Sequence, residues 1–303
     1  MISVGVVGLG AMGQHHVRVY SESHCNIEGV VDVDRARAEQ FAEKYRTKCY
    51  TNHHDLINKV DAISLAVPTS LHSSIACDFL QQGVHCLVEK PIASSVAEAV
   101  EMSEVAKKHK AKLMVGHIER FNPAVLKLKE LIDQGYLGKL IVVSTRRVGP
   151  FVSRNRDAGI VIDSAIHDID IARYLMGRDP SYIYSKTGSL INDKGDHAVI
   201  ILDFGDAMSC LEVNWFTPHK VRTLVATGSN AICYLDYIKQ ELQLCSASST
   251  RQINIEKAEP LKLEIEHFLD CINKNLTPLV DAESSTKALK IAMQATTSSG
   301  QMI

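Results

Sequence analysis

An aspartate and a histidine near the middle of the chain have the types and the spacing of a proton-transfer pair. Asp163 and His167 are four positions apart, so on an α-helix their side chains would share one face. A histidine beside a carboxylate can act as a general acid or base near neutral pH. Two other interpretations stay open. Asp163 caps a helix while His167 packs in a core, or a metal ion binds both side chains together with Asp170 or His197.

Lys90 is the second candidate for chemistry. It follows an apolar, strand-forming run and is followed at once by Pro91. The proline would hold the lysine at a fixed angle, and a cis bond before the proline would aim it inward. The alternative is a solvated lysine at the end of a strand.

Three glycines near the N-terminus have the spacing of a dinucleotide-binding turn. Gly8, Gly10 and Gly13 follow GxGxxG order, with Ala11 and Met12 between the last two, after a strand-like run and before a helix-like one. The first glycine permits a tight turn, the second lets a pyrophosphate approach the backbone, and the third lets helix and sheet pack closely. The helix N-terminus offers N–H groups to the phosphates, so we expect all five residues to bind a cofactor.

Asp32 bears on which nicotinamide dinucleotide is bound. It ends the second strand-like run, nineteen positions beyond Gly13, where a carboxylate can accept hydrogen bonds from both ribose hydroxyls. Its charge disfavours a 2′-phosphate, so we expect NAD, with NADP less favoured. Arg35 and Arg37 act in the opposite direction, because an arginine just beyond the acid suits a phosphate.

Two further segments should reach the same edge of the sheet. Pro68, Thr69 and His72 follow the fourth strand, and Glu89 with Lys90 ends the next one. Open α/β sheets bind their ligands beyond the carboxyl ends of the strands. We therefore expect these five residues to line the cofactor site.

The elements that position these residues fall into two groups. Up to about residue 120, short apolar strands alternate with amphipathic helices, which is typical of a parallel sheet covered on both faces. Beyond it, strand-like runs follow one another, interrupted by a helix over 163–176 and closed by two C-terminal helices. This second pattern predicts an α+β domain with a mostly antiparallel sheet. The fold class is therefore α/β overall, and we expect domains over 1–119 and 120–303.

Composition and charge exclude several classes of protein. The chain has 303 residues, 33 of them basic and 35 acidic, and a net charge of -2, which gives no reason to expect nucleic acid or a membrane surface as partner. No apolar run approaches the ~18–20 residues that span a bilayer, and the N-terminal residues do not resemble a signal peptide. The eight cysteines form no CxxC pair, so we expect reduced thiols in a cytoplasmic protein.

Together, these motifs resemble those of the Gfo/Idh/MocA oxidoreductases. The segments that carry the resemblance are GLGAMG at 8–13, VVDVD at 30–34, AVPTSLH at 66–72, VEKP at 88–91 and DSAIHDID at 163–170. The resemblance implies a Rossmann domain with a doubly wound parallel sheet, followed by a domain whose open sheet often forms an oligomer contact. It implies NAD(P)-dependent oxidation or reduction of a sugar or cyclitol hydroxyl by a homodimer or homotetramer.

The resemblance also implies roles for single residues. Lys90, Asp163 and His167 occupy the family's catalytic positions, and all three would contact the substrate. His167 would take the hydroxyl proton while a hydride passes to the nicotinamide. Lys90 would polarise the oxygen, and Asp163 would help to hold the assembly.

A narrower similarity concerns the substrate. The run VGHIERFNP at 115–123 is similar to family members that act on nucleotide sugars, particularly those that oxidise the 3-hydroxyl of UDP-N-acetylglucosamine. It implies substrate contacts from Arg120 and Asn122 and from Arg154 and Arg156 in the loop before Asp163, because the arginine fork suits hydroxyls and diphosphate.

Several alternatives to this function stay open. The same chemistry could act on a free cyclitol or monosaccharide, with Arg154 and Arg156 in a solvated loop. A chain that only binds NAD(H) could be a regulatory protein, although such a protein has no use for a proton relay. A metal-dependent enzyme should lose activity with a chelator, and we expect no metal and no such effect.

Overall fold

The computed structural model describes residues 1–151, 158–297 and 301–302. The chain forms two compact units, Met1–Ile118 with Glu259–Thr286, and Glu119–Ala258 with Lys287–Ile303. This division differs from the sequence-based one at residue 119 in one respect, because Glu259–Thr286 packs with the N-terminal unit. The helix in that segment buries Leu261, Ile265 and Phe268, and an amphipathic helix needs another surface to cover its apolar face.

The first unit is built on a six-stranded sheet in which neighbouring strands run parallel. Its strands are β1 (Ser3–Val7), β2 (Asn26–Val31), β3 (Lys48–Tyr50), β4 (Ala62–Leu65), β5 (His85–Glu89) and β6 (Leu113–Gly116). Their order across the sheet is β3-β2-β1-β4-β5-β6, so the order reverses between β1 and β4. The predicted doubly wound parallel sheet is confirmed, and its reversal point is where such sheets bind ligands.

The described residues form eight α-helices. In chain order they are α1 (Gly13–Glu22), α2 (Arg35–Tyr45), α3 (His72–Leu80), α4 (Val96–Lys108), α5 (Pro123–Asp133), α6 (Ile166–Met176), α7 (Pro260–Asn273) and α8 (Ala282–Thr297). Asp34, Ser95 and Asn122 begin α2, α4 and α5 as N-caps, since each side chain accepts a backbone N–H of the first turn. Within the described ranges, no helix is long and apolar enough to cross a bilayer.

The second unit carries the predicted, mostly antiparallel sheet. Its strands are β7 (Leu140–Pro150), β8 (Tyr182–Gly188), β9 (His197–Asp203), β10 (Met208–Asn214), β11 (Phe216–Gly228), β12 (Ala231–Asp236), β13 (Glu241–Ser246), β14 (Thr250–Ile253) and the two-residue β15 (Gln301–Met302). The order is β14-β13-β12-β11-β7-β10-β9-β8-β15, and β7 pairs with β10 in parallel. Strands β13 and β14 were not predicted from the sequence. Strand β14 is short, and three of its four residues are exposed.

Helix α6 is buried in the second unit between two apolar clusters. Ile166 and Ile169 pack in a cluster that contains Trp215, whereas Ile171 and Leu175 pack in another cluster. Because apolar contacts cover more than one face, polar side chains of α6 are also drawn into the interior and need partners there.

Candidate functional site

The glycine turn after β1 has the shape that a dinucleotide needs. Gly8 has φ +89, and a Cβ at Gly13 would lie 1.7 Å from the carbonyl oxygen of Gly8, so turn and helix touch backbone to backbone. At Gly10, by contrast, a Cβ would meet no described atom within 4 Å. Gly10 and Ala11 are exposed at the start of α1. The open space therefore lies where a phosphate would approach the helix N-terminus.

Asp32 lies at the end of β2, buried and turned towards the glycine turn. Its Oδ2 accepts the N–H of Leu9 at 2.8 Å and its Oδ1 accepts the N–H of Asp34 at 2.9 Å. The guanidinium of Arg37 lies 3.3 Å from Oδ2. The carboxylate is fixed with lone pairs left for ribose hydroxyls, while Arg37 offsets part of its charge. These residues fit NAD, whereas the partly exposed Arg37 favours a 2′-phosphate.

His72 joins two loops at the carboxyl edge of the first sheet. The buried ring lies 2.9 Å from the carbonyl oxygen of Pro91 through Nδ1 and 3.0 Å from that of Val67 through Nε2. Burial lowers the pKa of His72. This placement speaks against the expected cofactor contact by His72, because both ring nitrogens face backbone carbonyls. Pro68 is exposed and Thr69 half-buried in the same loop, which leaves them accessible.

Glu89 ends β5 and Lys90 follows it, and the Lys90–Pro91 peptide bond is cis. Glu89 is buried, with Oε1 3.0 Å from Nε2 of His16 and Oε2 3.2 Å from the N–H of Lys90. Although burial favours the neutral acid, the hydrogen bond and charge of His16 and the charge of Lys90 hold the pKa of Glu89 below its usual value. Both oxygens of Glu89 are used inside the protein, which speaks against the expected cofactor contact. Lys90 itself is half-buried.

Asp163 and His167 lie in the second unit at the start of α6. Instead of the predicted α-helix from 163, Val161–Ala165 is a π-helical segment that runs directly into α6. Short π-helical segments inside helices are frequent at functional sites. The segment is preceded by Ile160, so Asp163 is not a helix cap, and its Oδ2 accepts the hydroxyl of Ser164 at 3.1 Å. Asp163 and His167 are both half-buried.

Two buried arginines hold the next two carboxylates of α6. Arg147 on β7 donates to Asp168 at 2.9 and 3.2 Å, and Arg120 donates to Asp170 at 2.7 and 2.6 Å. Arg147 also lies 3.0 Å from Glu119. Burial disfavours the charge of Arg147, but the carboxylates of Asp168 and Glu119 outweigh this effect and raise the pKa of Arg147 above its ordinary value. Arg147 and Glu119 were not predicted from the sequence; the available signal was the pair of carboxylates, Asp168 and Asp170, beside the buried isoleucines of α6.

The expected substrate roles of Arg120 and Asn122 conflict with their surroundings. Arg120 is 5% exposed and its guanidinium lies 4.8 Å from the ring centroid of Tyr174. Asn122 is 2% exposed, caps α5 and donates to the carbonyl oxygen of Tyr237 at 3.1 Å. Both side chains support the packing of the second unit. Arg154 and Arg156 lie outside the described residues.

Arg222 is a cationic group of the second unit that the sequence analysis did not select. It lies on β11 opposite Arg147, 3.7 Å from Glu119, with 41% of its side chain exposed. The charge of Asp163 acts on the same guanidinium, while burial and the charge of Arg147 lower the pKa of Arg222. A partly exposed guanidinium of this kind can bind an anionic group.

The metal interpretation of His167 finds no support among the described residues. Asp170 is taken by Arg120, and Nδ1 of His197 lies 2.7 Å from Oδ1 of Asp196. Within the described ranges, three potential metal ligands lie close together at a different place, and they are His53, His54 and Asp78. His53 and His54 are adjacent in sequence, and both approach Asp78.

Comparisons with known proteins give one family along most of the chain. Residues 2–117 match the Gfo/Idh/MocA family, described as an oxidoreductase family with an NAD-binding Rossmann fold. Residues 125–233 match the C-terminal domain of the same family.

Individual relatives extend this likeness from end to end. A UDP-N-acetylglucosamine 3-dehydrogenase from Acidithiobacillus ferrooxidans is 26% identical over 301 residues, which cover 96% of this chain and 95% of the relative. Its solved structure covers 97% and 96% of the two chains with a TM-score of 0.91. A scyllo-inositol 2-dehydrogenase (NAD(+)) from Bacillus subtilis is 30% identical over 323 residues, covering 98% and 94%. A levoglucosan dehydrogenase solved with NADH and levoglucosan shares the fold, with 20% identity, coverage of 100% and 99%, and a TM-score of 0.91.

Proposed function

Because the chain belongs to the Gfo/Idh/MocA family of NAD-binding oxidoreductases, we propose that it oxidises the 3-hydroxyl of UDP-N-acetylglucosamine to a ketone. The observation that carries this substrate is the end-to-end similarity to a UDP-N-acetylglucosamine 3-dehydrogenase, which covers 96% of this chain and 95% of the relative. Asp32 and the open space at Gly10 support NAD as the cofactor.

The proposed chemistry divides between three side chains. His167 accepts the proton of the reacting hydroxyl, a task for which imidazole suits neutral pH. Lys90 donates a hydrogen bond to the same oxygen and stabilises its developing negative charge. Asp163 balances the positive charge that His167 gains. NAD, when bound, supplies the hydride acceptor, so the carbon loses a hydride, the oxygen loses a proton, and a carbonyl forms.

Cationic groups of the second unit support a nucleotide sugar over a neutral sugar. We assign Arg222 to the substrate diphosphate, because 41% of its side chain is exposed and a guanidinium matches phosphate oxygens. Arg154 and Arg156 keep the same proposed role. We assign no substrate contact to Arg120 and Asn122, because their polar groups form hydrogen bonds within the protein.

A second candidate function is the oxidation of a free cyclitol. The scyllo-inositol 2-dehydrogenase of Bacillus subtilis, at 30% identity, is more similar in sequence than the nucleotide-sugar enzyme at 26%. A cyclitol has no phosphate, so this function would leave Arg222 without an anionic partner in the substrate.

One experiment separates these functions. NADH formation is followed at 340 nm with UDP-N-acetylglucosamine, scyllo-inositol, myo-inositol and glucose, each with an amine donor and aminotransferase trap for the ketone. We expect turnover with the nucleotide sugar alone, and Arg222→Met should raise its KM by about 10-fold or more, the weight of one charged hydrogen bond. Turnover confined to the inositols, unchanged by Arg222→Met, would establish the cyclitol function instead.

The proposed homo-oligomer concerns the open face of the second sheet. Tyr182, Tyr184 and Val199 are exposed on β8 and β9, where they alternate with buried residues along each strand. Clustered exposed apolar side chains of this kind mark protein contacts. Light scattering during gel filtration should give a dimer or tetramer, and Tyr184→Glu should shift it towards the monomer.

A further inference from the structure

A chain of buried hydrogen bonds lies behind Lys90 in the first unit. Nε2 of His16 is 3.0 Å from Oε1 of Glu89, and Nδ1 of His16 is 3.0 Å from the hydroxyl of Ser64. The hydroxyl of Tyr20 is 2.8 Å from the same Ser64 oxygen. His16, Ser64 and Tyr20 are each at most 1% exposed. Polar groups this deep are costly unless every one is satisfied.

Glu89 is ionised and can only accept, so Nε2–H of His16 donates to it. Nδ1 of His16, the Ser64 hydroxyl and the Tyr20 hydroxyl continue the chain of hydrogen bonds. Burial raises the pKa of Tyr20, which keeps its hydroxyl protonated. Hydrogen bonds joined in this way strengthen one another.

Glu89 connects this chain of hydrogen bonds to Lys90. Its Oε2 accepts the backbone N–H of Lys90 at 3.2 Å, and the negative charge of Glu89 interacts with the Lys90 ammonium. The carboxylate thus accepts the main-chain N–H of Lys90 and interacts electrostatically with its ammonium group. Because His16 lies on α1, directly after the glycine turn, the same chain links the end of β5 to the cofactor-binding helix.

A second buried acid, Glu264, lies in the same unit and adds no charge beside the Glu89 carboxylate. Glu264 on α7 is 0% exposed, and neither of its carboxyl oxygens has a hydrogen-bond partner among the described residues. Burial, aided by the charge of Glu89, raises the pKa of Glu264 well above its usual value. The neutral acid adds no second negative charge beside Glu89.

We propose that His16 is a positioning residue for the reaction: it orients the Glu89 carboxylate, which in turn holds Lys90 in place at the end of β5. This inference rests on the proposed role of Lys90. His16 touches neither substrate nor the reacting atoms and acts through Glu89 alone. Its loss should lower turnover because a misplaced catalytic group costs far more than the hydrogen bond that held it.

Matched variants of α1 test the proposal with NAD and the active substrate. His16→Phe should lower kcat by about 100-fold, the cost of a displaced catalytic group, with little change in the NAD dissociation constant. His16→Gln keeps an N–H donor for Glu89 and should recover most of this loss. His15→Phe, an exposed neighbour on the same helix, is the control and should match the wild type. Thermal midpoints and NAD affinity are measured for each variant.

A double-mutant cycle with Lys90→Met separates positioning from a general loss of structure. His16→Phe should have little further effect on kcat in the Lys90→Met background, because the group that it positions is gone. Equal losses in both backgrounds, no rescue by glutamine, or wild-type kcat in His16→Phe would each overturn the proposal. If Lys90→Met itself keeps full turnover, the proposed function of Lys90 fails, and the role of His16 fails with it.

Discussion

Arg120 donates two parallel hydrogen bonds of 2.7 and 2.6 Å to the carboxylate of Asp170, and both side chains are at most 7% exposed. The residues are 50 positions apart in sequence, and their contact ties the segment after β6 to α6. Removing one partner of such a pair leaves the other charge buried and uncompensated.

Arg120→Met should therefore lower the free energy of unfolding by about 3–5 kcal/mol, measured by urea denaturation. Lys127→Met, which breaks an exposed ion pair to Glu130, is the control and should change stability little. The opposite pattern, with stability retained and a raised substrate KM, would return Arg120 to the substrate contact that the sequence suggested.

The second and third glycines of the turn, Gly10 and Gly13, should respond differently to an added methyl group. Gly13→Ala places a Cβ 1.7 Å from the carbonyl oxygen of Gly8, and such overpacking costs about 1–3 kcal/mol or more. Gly10→Ala meets open space, so stability should be retained while NAD binding weakens at least about 10-fold, or about 1.4 kcal/mol. Calorimetric unfolding and NAD titration measure the two effects. Unchanged NAD affinity in Gly10→Ala would contradict the placement of the pyrophosphate.

Asp32 should control the preference for NAD. Asp32→Ser removes the acceptor for the ribose hydroxyls and the charge that repels a 2′-phosphate, and it releases Arg37 from its ion pair. The ratio of kcat/KM for NAD over NADP should fall by about 10- to 100-fold, as for one charged hydrogen bond. Adding Arg37→Ala should remove the gain with NADP. A ratio that Asp32→Ser does not change would assign the selectivity to other residues.

The buried acid Glu264 should make stability depend on pH. The pKa of Glu264 is raised on folding, so the folded state holds a proton that the unfolded state releases above its ordinary pKa. Stability therefore falls as pH rises from that ordinary pKa towards the folded value. Glu264→Gln cannot ionise, and its advantage over the wild type should grow by up to about 1.4 kcal/mol per pH unit.

Urea unfolding at pH 5, 6, 7 and 8 measures this slope, with about 0.5 kcal/mol as the smallest difference of interest. Glu266→Gln, exposed on the same helix, should give no such pH-dependent difference. A constant offset between Glu264→Gln and the wild type would show that Glu264 is ionised in the folded state throughout this range.

The sequence predicts the first unit well because its signals are local. The glycine spacing, the apolar runs and Asp32 each lie within one strand–turn–helix unit, where backbone geometry dictates the residue type. The parallel sheet and the turn at Gly8 follow from such signals, and the structure confirms them.

The remaining site features depend on partners that are distant in sequence. Glu89 meets His16 across 73 positions and Arg147 meets Asp168 across 21, so their spacing alone gives no sign of the contact. For this reason the sequence suggested a cofactor contact for Glu89 and a substrate contact for Arg120, whereas their hydrogen bonds lie within the protein. The π-helical turn at Asp163 was missed because its residues also suit an ordinary α-helix.

Transfer of a deuterium label shows whether the hydride that reduces NAD comes from C3 of the sugar. UDP-N-acetylglucosamine carrying deuterium at C3 of the sugar is incubated with the enzyme and NAD, with a trap for the ketone, and the reduced cofactor is analysed by mass spectrometry. We expect NADH one mass unit heavier than the unlabelled cofactor, and its formation should be strongly reduced in Lys90→Met and His167→Asn. Unlabelled NADH would show oxidation at another carbon, and no NADH from this substrate would contradict the proposed function.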